Sequence, residues 1–385
     1  MEILELSLER FRNYASQTVA FHPVCNVICG ENAQGKTNLL EAILYLSCGK
    51  SPRARADREL IGFEAQDARI RARVAARDRE FIVEADLFRG RKRRLSVNGV
   101  NCRTASELSG VYNTVFFCPD DLYLIRAGAA ERRRFLDGCL TQLRPRYAAA
   151  LSSYHRLYEH KTRILRDSEE RPDLIALLPE VNEQMAIFGA VIIHYRAQLC
   201  RRLGEYAAAS HRECSGGREE LGLAYRTVST VTDPLSSEGE IAEQLRLHQK
   251  SHTQAELASR LCLSGPHKDD LEVTIGGRSA RQFSSQGQTR TAALSLKLAE
   301  REIFRNVTGA YPVLLLDDVL SELDPRRQEY VLNRIGGGQV FITCCEEDRL
   351  EQLLGGKVFH VKQGEILSQQ PAKGGQEDVP APGTK

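Results

Sequence analysis

The chain has 385 residues, 42% of them hydrophobic and 27% charged, which excludes collagen-like, low-complexity and wholly disordered classes. Lys and Arg number 53 against 51 Asp and Glu, so a net charge of +2 drives no global attraction to polyanions or membranes, and any basic function is local. At roughly 150 residues per domain the length predicts two or three domains or lobes, with a core that needs no disulfides.

Met1-Glu2-Ile3-Leu4-Glu5-Leu6 carries early acids and lacks a basic segment followed by an apolar one, so no signal peptide is expected. No apolar run approaches the roughly 20 residues of a spanning helix. The eleven cysteines are an odd number without a C-x-x-C pair, and Cys344-Cys345 lies in an apolar run. That usage fits reduced thiols in a soluble, cytoplasmic protein without a membrane partner.

Alternation at Ile3, Leu4, Leu6 and Leu8, then Thr18 to Phe21, then Val24 to Cys29, predicts three short strands, the third leading into a glycine loop. Lys36 to Leu46 has apolar residues at helical spacing. Ile70 to Val74, Glu80 to Leu87 and Arg93 to Val97 read as further strands, with Asn98-Gly99 a hairpin turn. Ala129 to about Ala209 has almost no glycine and apolar residues recurring at three and four, which predicts a helical lobe. Helical pattern resumes over about 240–261, a strand is expected near Leu271 to Ile275, and a long helix over about 288–305 precedes the apolar run Val313 to Leu316. Strand and helix alternating in this way predict an α/β fold with a parallel layer. Gln369 to Lys385 reads as a disordered tail.

Gly30-Glu31-Asn32-Ala33-Gln34-Gly35-Lys36-Thr37 fits G-x-x-x-x-G-K-[ST] after a strand and before a helix. Its glycines let backbone N–H groups face phosphates, Lys36 reaches the β/γ-phosphates, and the Thr37 hydroxyl is a ligand for Mg²⁺. Val313-Leu314-Leu315-Leu316-Asp317-Asp318 is an apolar strand ending in two acids. Asp317 would hold the Mg²⁺ shell and Asp318 would orient or deprotonate the attacking water. Phe283-Ser284-Ser285-Gln286-Gly287-Gln288 is a small polar loop before a helix beginning near Thr289, and reads either as an ordinary helix cap or as a second anion-binding device.

These elements together resemble the ABC-type ATPases of the SMC and Rad50 kind, and most closely the bacterial DNA-repair family RecF, over the chain to about Val361. Phe11-Arg12-Asn13-Tyr14 looks like that family's N-terminal element, which makes Arg12 an expected nucleotide contact. Gly30 to Asn38 matches its Walker A stretch, Ser284 to Gln288 its signature, and Asp317-Asp318 with Ser321-Glu322-Leu323-Asp324 its Walker B and D-loop. Glu131-Arg132-Arg133-Arg134-Phe135-Leu136-Asp137 and Gly265-Pro266-His267-Lys268-Asp269-Asp270-Leu271 are similar to segments of RecF rather than of ABC proteins at large.

The resemblance implies an ABC-type ATPase head whose lobe I is built from residues 1–128 and 263–368, the latter with signature and Walker B. A mainly helical lobe II (129–262) is inserted, with no long coiled coil. It also implies ATP sandwiched between Walker A of one subunit and the signature of another, with Lys36, Ser285 and Asp318 as the catalytic groups and Asp324 near the nucleotide. The expected function is an ATP-dependent homodimer that clamps gapped or junction DNA and helps RecA loading with RecO and RecR. The alternative is an ABC-type ATPase subunit acting on a protein or transporter partner. Asp318 stands where ABC proteins usually carry Glu, so slow hydrolysis is expected. A switch histidine is not evident, Thr343 being the one polar candidate, and Cys118-Pro119-Asp120-Asp121 offers no Q-loop glutamine. The arginines at 69, 71, 73, 77 and 79, at 89, 91, 93 and 94 beside Lys92, and at 132–134 are candidates for DNA phosphates or for a solvated face of salt bridges.

Overall fold

The computed structural model describes residues 1–345 and 356–371, which form two compact units, Met1–Pro119 with Phe304 onward, and Asp120–Ile303. In the first unit an antiparallel sheet runs in the order Tyr14–Ala20, Glu2–Phe11, Asp67–Ala76, Arg79–Phe88, Arg94–Val97, Val100–Asn101. Alternation sets its faces: Ala68, Ile70, Ala72 and Val74 are buried while Arg69, Arg71 and Arg73 are exposed. Asn98 and Gly99 both have positive φ, 51° and 78°, as a two-residue hairpin with a primed turn requires.

The second sheet is ordered Glu365–Pro371, Lys357–Lys362, Cys25–Cys29, Val340–Cys344, Val313–Leu316, Thr114–Phe117. Its strands pair in parallel except at the Glu365–Pro371 edge. Both faces are covered, which explains why Val313–Leu316 is apolar throughout. Leu39, Leu40, Ile43 and Leu46 of the Lys36–Cys48 helix share one core with residues of both sheets. Gln369 to Pro371, expected in the tail, instead continue the last strand, opposite Phe359 to Lys357. The remainder of the expected tail, 372–385, lies outside the described residues.

The second unit contains the helices Ala129–Leu143, Pro145–Asp167, Leu178–Cys214 and Glu238–Ser259, with a three-stranded sheet. The boundary differs from the expected one, since residues 263–303 group with this unit. The cause is a strand not read from the sequence, Leu221–Arg226, which pairs along its whole length with Asp270–Ile275. The stretch Pro172–Cys214 is long and apolar enough by length and composition to cross a membrane, its most apolar 18-residue window having a mean hydropathy of 1.3. Its helix is nevertheless a core helix: Ala186, Ala190 and Ile193 pack with Ile241, Ala242 and Leu245.

The same helix carries Arg196, 3% exposed, into a buried ionic network. The guanidinium reaches Asp137 at 2.8 Å and Asp269 at 3.1 Å, and donates to the Pro266 carbonyl at 2.8 Å. Arg132, 4% exposed, is bidentate to Asp270 at 2.7 and 2.8 Å, and Arg133 donates to the Asp269 carbonyl at 2.6 Å. The two RecF-like segments, 131–137 and 265–271, are therefore one interlocked structural element. Arg132 is unavailable to DNA because it neutralises a carboxylate within the unit. Burial pushes Asp269 up to about 6 against the pull of Arg196, and burial also pushes His267 down to about 4. Arg196→Ala would leave Asp269 and Asp137 without their cation, and thermal or urea unfolding should show a destabilisation of about 3 kcal/mol or more.

Candidate nucleotide site

Three neighbouring parallel strands of the second sheet end side by side. Cys25–Cys29 runs into the glycine loop and Val313–Leu316 into Asp317-Asp318. Val340–Cys344, paired with both, brings Thr343 between them. Thr37 Oγ1 donates to Asp317 Oδ1 at 2.8 Å, joining residues 280 positions apart. Thr343 Oγ1 donates to the same oxygen at 3.0 Å and accepts the Asp318 N–H at 2.8 Å. Thr343 thus tethers both acids.

The loop conformation depends on its glycines. Gly30 has φ 156°, and a Cβ there would lie 2.4 Å from the Val361 carbonyl oxygen. Gly35 has φ 119°, and a Cβ there would meet the Asn13 carboxamide at 2.8 Å. The helix that follows begins at Gly35 without a side-chain cap, so its first N–H groups remain available to an anion. Lys36, 3% exposed, folds back and donates to the Gly30 carbonyl at 2.6 Å. A buried ammonium beside uncapped helix N–H groups fits the phosphates of ATP. Cys345 Sγ lies 3.3 Å from the same ammonium and donates to Asn32 Oδ1 at 3.1 Å.

Burial raises the pKa of Asp317, the two hydroxyl donors oppose that rise, and the Asp318 charge adds to it. A desolvated carboxylate beside a hydroxyl at 2.8 Å is a donor set that fits Mg²⁺, whose hard charge suits oxygen ligands. Asp318 is half-buried and has φ 49°. Such a left-handed conformation costs a non-glycine residue about 1 kcal/mol, and strain of this kind gathers at functional sites. Its N–H is held by Thr343 and its carbonyl by Ser321 at 2.6 Å, while its carboxylate has no hydrogen bond or ion pair among the described residues. An unengaged carboxylate on a fixed backbone suits a group that must accept a proton.

Residues around the loop brace it. Asn13 Nδ2 donates to the Gln34 carbonyl at 2.9 Å, Asn38 Nδ2 donates to Asn13 Oδ1 at 2.8 Å, and Tyr14 OH donates to the Gly35 carbonyl at 3.0 Å. Gln34 Oε1 also accepts the Gln363 N–H at 2.7 Å. These roles of Asn13 and Tyr14 are not legible as separate assignments in the sequence, where both simply follow Arg12. Arg12 itself is bidentate to Glu41 of the Walker A helix, at 2.9 and 2.8 Å, and donates to the Glu59 carbonyl at 2.9 Å. Its guanidinium is held by its own unit, on the helix that the loop opens. Asp324 caps the Pro325–Leu332 helix, accepting the Arg327 N–H at 3.1 Å and pairing with the Arg327 guanidinium.

The signature lies in the second unit. Ser285 Oγ accepts the Gln288 N–H at 3.2 Å and Gln288 Oε1 accepts the Ser285 N–H at 2.8 Å, a reciprocal capping box at the head of the helix that begins at Gln286. Gln288 Nε2 donates to Glu219 at 3.0 Å, and the Ser284 carbonyl accepts from Arg126 at 3.1 Å. Gly287 stands in the first turn.

Most of the arginine-rich sheet face is a ladder of ion pairs. Arg69 faces Glu84 at 2.7 Å and Asp86 at 3.4 Å, Arg71 faces Glu84 at 3.7 Å, Arg73 faces Glu80 at 3.3 Å, and Arg94 faces Asp86 at 2.5 Å. Arg89 donates to the carbonyls of Ala65, Gly62 and Phe63. Arg69, Arg71, Arg73 and Arg94 thus form the salt-bridged face expected as one of the two alternatives.

Residues 2–366 match the family of the RecF/RecN/SMC N terminal domain. The DNA replication and repair protein RecF of Lachnoclostridium phytofermentans is 36% identical over 368 residues, covering 95% of this chain and 99% of that one. The chain belongs to the RecF family. A solved structure of the recombination mediator protein RecF with ATP is similar to this RecF-family chain with a TM-score of 0.87 at 33% identity, covering 96% of this chain and 97% of the other. An SMC head from Pyrococcus furiosus, at 17% identity and a TM-score of 0.54 over 96% of this chain and 95% of its own, shares the fold alone. The RecF-family fold is accordingly an ABC-type ATPase head, without a long coiled coil among the described residues.

Proposed function

We propose that this RecF-family protein is an ATP-dependent DNA-binding protein of recombinational repair, dimerising around ATP and hydrolysing it slowly as a switch. The observation that carries the reading is the hydrogen bond from Thr37 to Asp317, made at the ends of the two parallel strands that flank Val340–Cys344, beside the free carboxylate of Asp318. Lys36 and the uncapped helix N-terminus bind the β- and γ-phosphates. Thr37 and Asp317 hold Mg²⁺, which when bound neutralises phosphate charge. Asp318 orients the attacking water and takes its proton. One Lys and one cation leave charge on the γ-phosphate, and Ser285 with the signature helix of a second protomer completes the cage. ADP offers that second protomer much less to hold, so closure reports the γ-phosphate.

Curated relatives are named for DNA replication and repair, and the solved RecF is described as a mediator in the RecFOR pathway. That kinship supports binding to gapped or junction DNA, action beside RecO and RecR in loading RecA, and a cytoplasmic location. Recognition is of backbone and shape, so affinity falls as salt rises. Asp318→Asn is expected to lower ATP turnover about 100-fold, the scale of a missing general base, and to retain ATP-dependent binding of a gapped duplex. Fluorescence anisotropy with and without ATP and Mg²⁺ checks this; DNA binding that ignores nucleotide would contradict the reading.

A further inference from the structure

At the C-terminal end of the Walker A helix the first unit has a solvent-open cavity of about 720 Å³. Its wall carries five cationic side chains, Lys50, Arg55, Lys92, Arg93 and Arg103, against a single carboxylate, Asp57. That carboxylate is already compensated, accepting from Arg93 at 3.1 Å and from Tyr45 OH at 2.9 Å. Arg93 also donates to the Gly49 carbonyl at 2.6 Å, where the helix ends. The other four cations are exposed, and their side chains make no hydrogen bond or ion pair among the described residues. This distinguishes them from the ladder on the neighbouring sheet face, where Arg69, Arg71, Arg73 and Arg94 each face an acid.

We propose that this cavity is a second phosphate-binding site, for a phosphorylated ligand of nucleotide size. Four uncompensated cations around a concavity focus a positive potential into it, where an anion meets several of them at once. The volume lies within the range of small-ligand sites, and the buried side chains of Leu60 and Leu95 add apolar lining for the unphosphorylated part. A duplex backbone lies along a surface, whereas a cavity admits a free nucleotide or a phosphorylated DNA terminus. Both present the same group, a phosphate with more than one ionised oxygen. The inference is independent of how the Walker A loop is read.

The test uses full-length Lys36→Ala protein, to suppress binding at the Walker A loop. ADP is titrated calorimetrically, and gapped duplexes carrying a 5′-phosphate or a 5′-hydroxyl at the gap are compared by anisotropy. Saturable ADP binding, or a preference for the 5′-phosphate, is expected, and Arg55→Glu/Arg103→Glu should lower it about tenfold or more, as removal of charge-assisted hydrogen bonds does. Arg156→Glu/Arg201→Glu, an equal charge change on exposed residues of the second unit, should leave it within about twofold. If the Glu pair abolishes ADP binding, a free nucleotide is the ligand; if it abolishes the 5′-phosphate preference, a DNA terminus is. The absence of both signals in Lys36→Ala, or equal weakening by the two double variants, would overturn the proposal. Melting temperature verifies folding, and should the Glu pair melt early, Arg55→Gln/Arg103→Gln is read by the same criterion.

Discussion

Lys36→Ala should abolish measurable ATP hydrolysis and weaken ATP binding at least about tenfold, the scale of removing one strong charge-assisted hydrogen bond from a buried site. Lys36 is 3% exposed, and its Nζ is held over the loop by the Gly30 carbonyl at 2.6 Å. The ammonium is therefore positioned before phosphate arrives, and little side-chain entropy remains to be given up on binding. Removing it leaves the helix N-terminus as the chief positive element of the loop, and turnover should fall further than affinity because charge grows on the transferred group as it reacts. Equilibrium binding of a fluorescent ATP analogue and a phosphate-release assay separate the two effects. Unchanged affinity and turnover would mean that the loop does not bind phosphates.

Ser285→Arg should leave ATP binding by a single protomer within about twofold of wild type while abolishing ATP-dependent dimerisation and hydrolysis, because a side chain at the cap position is exchanged for one that obstructs it. In the isolated protomer the Ser285 hydroxyl accepts the Gln288 N–H and the Gln288 carboxamide accepts the Ser285 N–H across the first turn, at 3.2 and 2.8 Å. A γ-phosphate presented by a second protomer would exchange one good acceptor for another at an existing helix N-terminus, which keeps the reorganisation small. Arg also breaks the capping box, a cost of about 1 kcal/mol, so the variant should melt only slightly earlier than wild type. Sedimentation with and without ATP reads the dimer; normal ATP-dependent association of the variant would count against a shared nucleotide.

What the sequence discloses about this site follows from how local its determinants are. The Walker A loop is legible because its chemistry demands contiguous residues in a fixed order, and Asp317-Asp318 because a strand buried on both faces is apolar up to the point where it ends. Thr114–Phe117 is not legible: it has four residues, and its identity as a strand comes from pairing with Val313–Leu316. Leu221–Arg226 is obscured by its glycine and its exposed arginine, and is fixed by Asp270–Ile275 far along the chain. The function of Arg132 is likewise decided by Asp270, which no local pattern announces. The arginine ladder is within reach of a sequence reading, since a turn at Arg77-Asp78 sets Arg71 opposite Glu84 and Arg69 opposite Asp86.

A nucleotide shared between two protomers is tested most directly by mixing Lys36→Ala with Ser285→Arg protein, each inactive alone, and measuring ATP hydrolysis. In a mixed dimer one composite site combines the intact Lys36 of one subunit with the intact Ser285 of the other, so random exchange should restore about a quarter of the wild-type rate between isologous protomers. A mixture as inactive as its components, under conditions where the subunits exchange, would contradict hydrolysis at a site shared between two protomers.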